Sequence, residues 1–140
     1  MRFDDEKEFC FYLEKHFFPQ YFDEGWQPVM GKTKEVFLNY LDIHTKKRID
    51  YFGFKNNIPT YIEVKSGNYS ISNKDNIHQL TNYINLLNHK ENWKPYKLIY
   101  LFHKNKSINN CPYRLSSFCK MISDNFQHVD FEIMRYKQAL

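Results

Sequence analysis

Apolar positions along this chain recur with two different periods, one helical and one extended. Over residues 3–18, Phe9, Leu13 and Phe17 fall at i, i+4 and i+8 with Tyr12 and His16 beside them, which predicts a helix. Asp4 and Asp5 suit the positive end of its dipole, and Pro19 stops it. Residues 20–33, punctuated by Gly25, Pro28 and Gly31, read as a loop. Three strand-like segments follow, over 35–43, 46–54 and 58–65, each rich in β-branched or aromatic side chains. Ser66-Gly67-Asn68 breaks the third. From 73 to 89 the helical spacing returns, with Ile77, Leu80, Ile84 and Leu87 in one stripe. Residues 96–102 have the composition of a buried strand, Pro112 opens a helix to 125, and 129–136 alternates as a half-exposed strand. The order αβββαβαβ predicts an α/β (α+β) domain with a mixed sheet and helices on both faces.

Composition narrows this further. A length of 140 residues with 42% hydrophobic and 26% charged residues describes one globular domain over 1–140, not a disordered chain. No internal repeat or low-complexity linker divides it. No apolar run reaches the roughly 18 residues of a membrane span, and the acidic start, Met1-Arg2-Phe3-Asp4-Asp5-Glu6, is unlike a secretory signal. Cys10, Cys111 and Cys119 are too scattered for a disulfide framework or zinc knuckle, so they read as reduced core thiols of a cytoplasmic protein. A net charge of +4 is compatible with a polyanionic partner. The 19% aromatic content means that Phe and Tyr fill the core in place of smaller apolar residues.

Chemistry concentrates in the second and third strands. Asn56-Asn57 lies between them, and Asn tolerates the positive φ of a two-residue hairpin turn. With that turn, Asp50 faces Glu63, Phe52 faces Tyr61 and Arg48 faces Lys65. Alternation then puts Asp50, Glu63 and Lys65 on one face and Ile49, Ile62 and Val64 on the other. Opposed residues have Cβ atoms roughly 4.5–5.5 Å apart, where like charges repel, so two carboxylates there call for a cation. Lys65 is one candidate; a divalent ion, Mg²⁺ or Mn²⁺ with water completing its shell, is the other. Solvent-exposed cross-strand charges are the alternative explanation. In the next helix Gln79 and Tyr83, at i and i+4, border the apolar stripe, placed to reach a phosphate or order a carboxylate.

Ile49-Asp50, Glu63-Val64-Lys65 and Gln79-Leu80-Thr81-Asn82-Tyr83 together resemble the PD-(D/E)XK nuclease superfamily, in its RecB-like and NucS-like branch with a trailing Q-x-x-x-Y motif. The order of elements over residues 3–136 is similar to that superfamily's restriction-endonuclease-like αβββαβ core, although the specific part spans only 48–83. Ile49 stands where many members carry Pro, and the separate DNA-binding domain of the NucS type is absent from this sequence. The resemblance implies that Asp50, Glu63 and the Val64 carbonyl hold Mg²⁺ or Mn²⁺, and that Lys65 assists water attack. It assigns Gln79 and Tyr83 to the trailing motif and implies products with 5′-phosphate and 3′-hydroxyl ends. A first-helix acid often completes such sites; Glu6, in the pattern Glu-x-x-Phe, fits best and Glu8 second.

The expected function is therefore metal-dependent hydrolysis of phosphodiester bonds, with DNA ahead of RNA as the nucleic-acid partner. A second copy of the chain or an accessory protein is the further partner that a double-strand cut would require. Lys32, Lys34, Lys46, Lys47, Arg48, Lys74, Lys104 and Lys106 fit salt-sensitive binding of a polyanion. Alternatives left open are a nuclease-like module that binds nucleic acid or protein without cutting, an RNA-cleaving enzyme, and a ligand-activated nuclease. His44, His78, His89 and His103 lack metal-ligand spacing, and there is no phosphate-binding glycine loop or Gly-x-Ser-x-Gly elbow.

Overall fold

The computed structural model describes residues 6–28, 49–65, 74–103 and 112–136. Helix α1 spans Glu6–His16 and buries Phe9 and Leu13, with Lys15 and His16 at its negative end. It stops before the predicted boundary because Pro19 has no N–H and its ring would meet the Lys15 carbonyl. The chain turns at Phe17 and restarts as a short helix α2, Phe18–Tyr21, where Pro19 sits in the first turn and is tolerated. Strand β1, Glu24–Pro28, lies where the sequence reads as a loop. Among the described residues it is an edge strand, irregular between Glu24 and Gln27, and Pro28 is tolerated at such an edge. The expected strand over 35–43 and the positions Gly31 and Ser66-Gly67-Asn68 lie outside the described residues.

Strands β2 (Tyr51–Lys55) and β3 (Ile58–Lys65) form the expected hairpin. Asn56 and Asn57 have φ of 52° and 65°, and the register pairs Phe52 with Tyr61 and Tyr51 with Ile62. Helix α3 (Lys74–Lys90) then leads to β4 (Tyr96–His103), and α4 (Pro112–Asn125) leads to β5 (Val129–Tyr136). The five strands of the described residues make one sheet in the order β1-β2-β3-β4-β5. Its first three members are antiparallel and β3, β4 and β5 are parallel, so the domain is α+β with a mixed sheet.

Helices cover both faces. Leu80, Tyr83, Ile84 and Leu87 of α3 and Ile122 of α4 pack on Tyr61, Leu98, Tyr100, Phe102 and Phe131. Phe9 and Leu13 of α1 and Phe18 of α2 pack on Tyr51, Ile62, Val64, Ile99 and Leu101. Between these layers β3 is buried continuously from Thr60 to Val64, as a central strand with a parallel neighbour should be. Among the described residues no helix is long and apolar enough to cross a membrane. Cys10 and Cys119 are half-buried thiols rather than fully interior ones; Cys111 lies outside the described residues.

Tyr51, Tyr61, Tyr96 and Tyr100 are among the largest fully buried side chains. Burial pushes the phenols of Tyr51, Tyr61 and Tyr96 upward, with Glu91 adding to the effect on Tyr61 and Tyr96. Tyr136 is pushed up to about 12, by desolvation first and then by the Tyr12 hydroxyl. An acid whose folded pKa is raised holds its proton longer in the native state than in the unfolded chain. Its contribution is complete below the unfolded value of roughly 10 and disappears as pH climbs through the folded value. The melting temperature should therefore fall steadily above about pH 10. Absorbance at 295 nm should report phenolate formation together with unfolding; all eleven phenols titrating near pH 10 in a still-folded protein would contradict this burial.

Candidate active site

Alternation along β3 sends Tyr61, Glu63 and Lys65 to the face that α3 covers. Glu63 is 5% exposed, and Lys65 Nζ lies 3.4 Å from its Oε2. Two α3 side chains, one turn apart, hold this pair. The Tyr83 hydroxyl donates to Glu63 Oε2 at 3.1 Å, and Lys65 Nζ donates to Gln79 Oε1 at 3.3 Å. From the neighbouring strand the Tyr100 ring lies 5.7 Å from Lys65 Nζ, within cation–π reach. A buried ion pair persists only when further polar contacts offset its desolvation, and here α3 and β4 supply them. Glu63, Lys65, Gln79 and Tyr83 are thus brought together.

Asp50 arrives differently from the expected cross-strand pair. The β2–β3 ladder ends at Tyr51–Ile62, and Asp50 occupies a bend just before it. Its Oδ2 accepts the backbone N–H of Val64 at 2.8 Å, replacing the ladder bond that a continued strand would have made. The bend also overturns the facing of Ile49: it joins the Tyr61–Tyr83 side of the sheet, whereas Ile62 and Val64 face α1. Strict alternation fails at Ile49 because the extended backbone that produces it has already ended. N–H and C=O of one extended residue point to the same edge, so the Val64 carbonyl faces the side on which Asp50 lies.

Asp50, Glu63 and Lys65 all sit at the carboxyl end of β3, where the chain crosses over to β4. The donor set suits a small hard cation. Mg²⁺ is commonly held by one or two carboxylates with water completing the shell, and both carboxylates here are already oriented by Val64 N–H and by Tyr83. Among the described residues no three His, Cys, Asp or Glu side chains form one cluster.

The side chain of Glu6 lies outside the described residues, and Glu8 is exposed on α1. Glu14 is half-buried and, with Asp50, raises the Tyr51 phenol after burial and the Cys10 thiol have done so. Helical spacing alone carries no signal that singles out Glu14, since its relation to Asp50 depends on how α1 lies over β2. Lys32, Lys34, Lys46, Lys47, Arg48, Lys104 and Lys106, the Lys74 side chain and His44 lie outside the described residues. His78 and His89 are exposed helix-surface residues. No family model, curated protein or solved structure matches this chain.

Proposed function

We propose that this protein is a metal-dependent nuclease of the PD-(D/E)XK type, with a restriction-endonuclease-like core, acting on phosphodiester bonds in DNA. The observation that carries this reading is the buried Glu63–Lys65 pair, clamped by Tyr83 and Gln79 beside an Asp50 fixed to Val64. A purely structural pair at a strand end would not require two helix side chains to hold it, nor a second acid tied to the residue between its members.

In this reading Asp50, Glu63 and the Val64 carbonyl hold Mg²⁺ or Mn²⁺. When bound, the ion lowers the pKa of water and neutralises charge developing on the phosphoryl oxygens. Lys65 places a positive charge beside the scissile phosphate and orients the attacking water. Tyr83 keeps Glu63 in one orientation by donating to Oε2, and Gln79 keeps Lys65 Nζ from swinging away by accepting a hydrogen bond from it. Burial of Glu63 and Tyr83 keeps water from that side of the pair, which strengthens the electrostatic contacts there.

The test is a panel of single-stranded, duplex and branched DNA and RNA incubated with Mg²⁺, Mn²⁺ or EDTA. Cleavage should need the divalent ion and should vanish in Asp50→Ala. Persistence in EDTA or in Asp50→Ala would refute the reading. Binding without any cleavage would favour a nuclease-like binding module, and selective RNA cleavage would move the substrate class.

A further inference from the structure

The α3 C-terminus carries a feature that the candidate active site does not use. Asn92 and Trp93 both adopt left-handed backbone, with φ of 54° and 61°. Gly or Asn usually fills such a position after a helix, and a bulky aromatic there is an outlier. The turn is nevertheless locked, with Trp93 N–H donating to the Asn88 carbonyl at 2.7 Å and Lys94 N–H to the Glu91 carbonyl at 3.0 Å. Its consequence is an indole that is 56% exposed, whereas Trp26 packs half-buried against Phe18.

Behind the indole the support is made of packed rings and hydrogen bonds. The rings of His89 and His128 lie 5.7 Å and 5.4 Å from that of Trp93. His128 Nε2 is hydrogen-bonded to Oδ1 of the fully buried Asn88, which also accepts the Tyr96 hydroxyl at 2.9 Å. The segment His89-Lys90-Glu91-Asn92-Trp93-Lys94 contains one acid, and that acid turns inward to the Tyr61 hydroxyl. His89 and Lys94 are both exposed, and Lys94 follows Trp93 directly in the chain. An exposed aromatic face held in place, with the exposed Lys94 next to it in the chain, matches what an unpaired base and its phosphate require.

We propose that Trp93 is a stacking platform for single-stranded nucleic acid, remote from the candidate active site. The proposal rests on the nucleic-acid reading above for its ligand class, but not on catalysis. Gln79 and Trp93 are separated by most of α3, roughly 20 Å at 1.5 Å per residue, so the platform holds a part of the strand distant from the bond being cut.

The experiment is a titration of a Trp26→Phe variant, in which Trp93 is the sole tryptophan, with a twelve-nucleotide oligothymidylate in EDTA. Emission should be quenched, and a duplex of the same length should quench much less because its bases are already stacked. Trp93→Gly, which suits the local φ, should bind the oligonucleotide at least about fivefold more weakly, and Trp93→Phe should recover part of the loss. Unchanged Trp93 emission, equal quenching by the duplex, or parental affinity in Trp93→Gly would overturn the proposal. Quenching without cleavage on any substrate would leave the platform standing and remove the nuclease reading. Asp50-dependent cleavage of a single strand with unaltered KM in Trp93→Gly would do the reverse.

Discussion

Glu63→Gln is expected to reduce cleavage roughly a thousandfold, about 4 kcal/mol of barrier, while the protein stays folded. The substitution keeps shape and volume, and Tyr83 can still donate to the side-chain oxygen that replaces Oε2. What is lost is the charge: the carboxylate that would hold the divalent ion and the anion that Lys65 faces at 3.4 Å. The Lys65 side chain is 15% exposed and retains Gln79 and the Tyr100 ring, so removing its counter-charge costs about 1–3 kcal/mol rather than the full penalty of a stranded interior ion. Replacing both members, as Glu63→Gln with Lys65→Met, should restore much of that stability and none of the activity. Thermal denaturation and single-turnover cleavage on the four combinations check both halves. A Glu63→Gln protein that cuts at the parental rate would remove Glu63 from the reaction.

How far the sequence alone reaches is seen by comparing β3 with β1. Residues 58–65 carry a dense apolar pattern bounded by two Asn residues and a Ser-Gly-Asn break, so local and global preferences agree, and both strand and register are legible. Helix α3 is legible for the same reason, and its i, i+4 spacing by itself sets Gln79 and Tyr83 side by side on one flank of the helix. Glu24-Gly25-Trp26-Gln27-Pro28 has little intrinsic strand preference; it is extended because the edge of β2 offers backbone partners, which is a tertiary effect. Asp50 falls between these cases. Its presence near Glu63 follows from the hairpin, but the bend that exchanges a ladder bond for a carboxylate–amide bond depends on local backbone geometry that alternation does not encode. The outward Trp93 is illegible too, because nothing in Asn-Trp announces a left-handed turn occupied by a bulky ring.

Gly53→Ala should destabilise the fold, although strand propensity alone predicts the opposite. Gly in a strand interior costs roughly 0.5–1 kcal/mol relative to Ala through unfolded-state entropy, so the substitution would stabilise β2 if space allowed. Space does not allow it. A Cβ at position 53 would lie 2.6, 2.8 and 2.9 Å from three ring atoms of Phe22. Phe22 is 4% exposed, and its ring lies among those of Phe18 and Tyr21, with centroids at 5.7 Å and 5.2 Å. A rigid ring in that setting cannot yield by a rotamer change; either it or the β2 backbone must shift. Overpacking of this kind costs typically 1–3 kcal/mol, which exceeds the entropic gain and leaves a net loss of about 1–2 kcal/mol. For a chain of 140 residues that lowers the melting temperature by roughly 5 °C. The sign of the coupling is the sharper test. In a Phe22→Leu background the added methyl meets a smaller, more flexible side chain, so Gly53→Ala should cost less there than in the parent. Equal losses in both backgrounds would mean that Phe22 does not set the requirement for glycine.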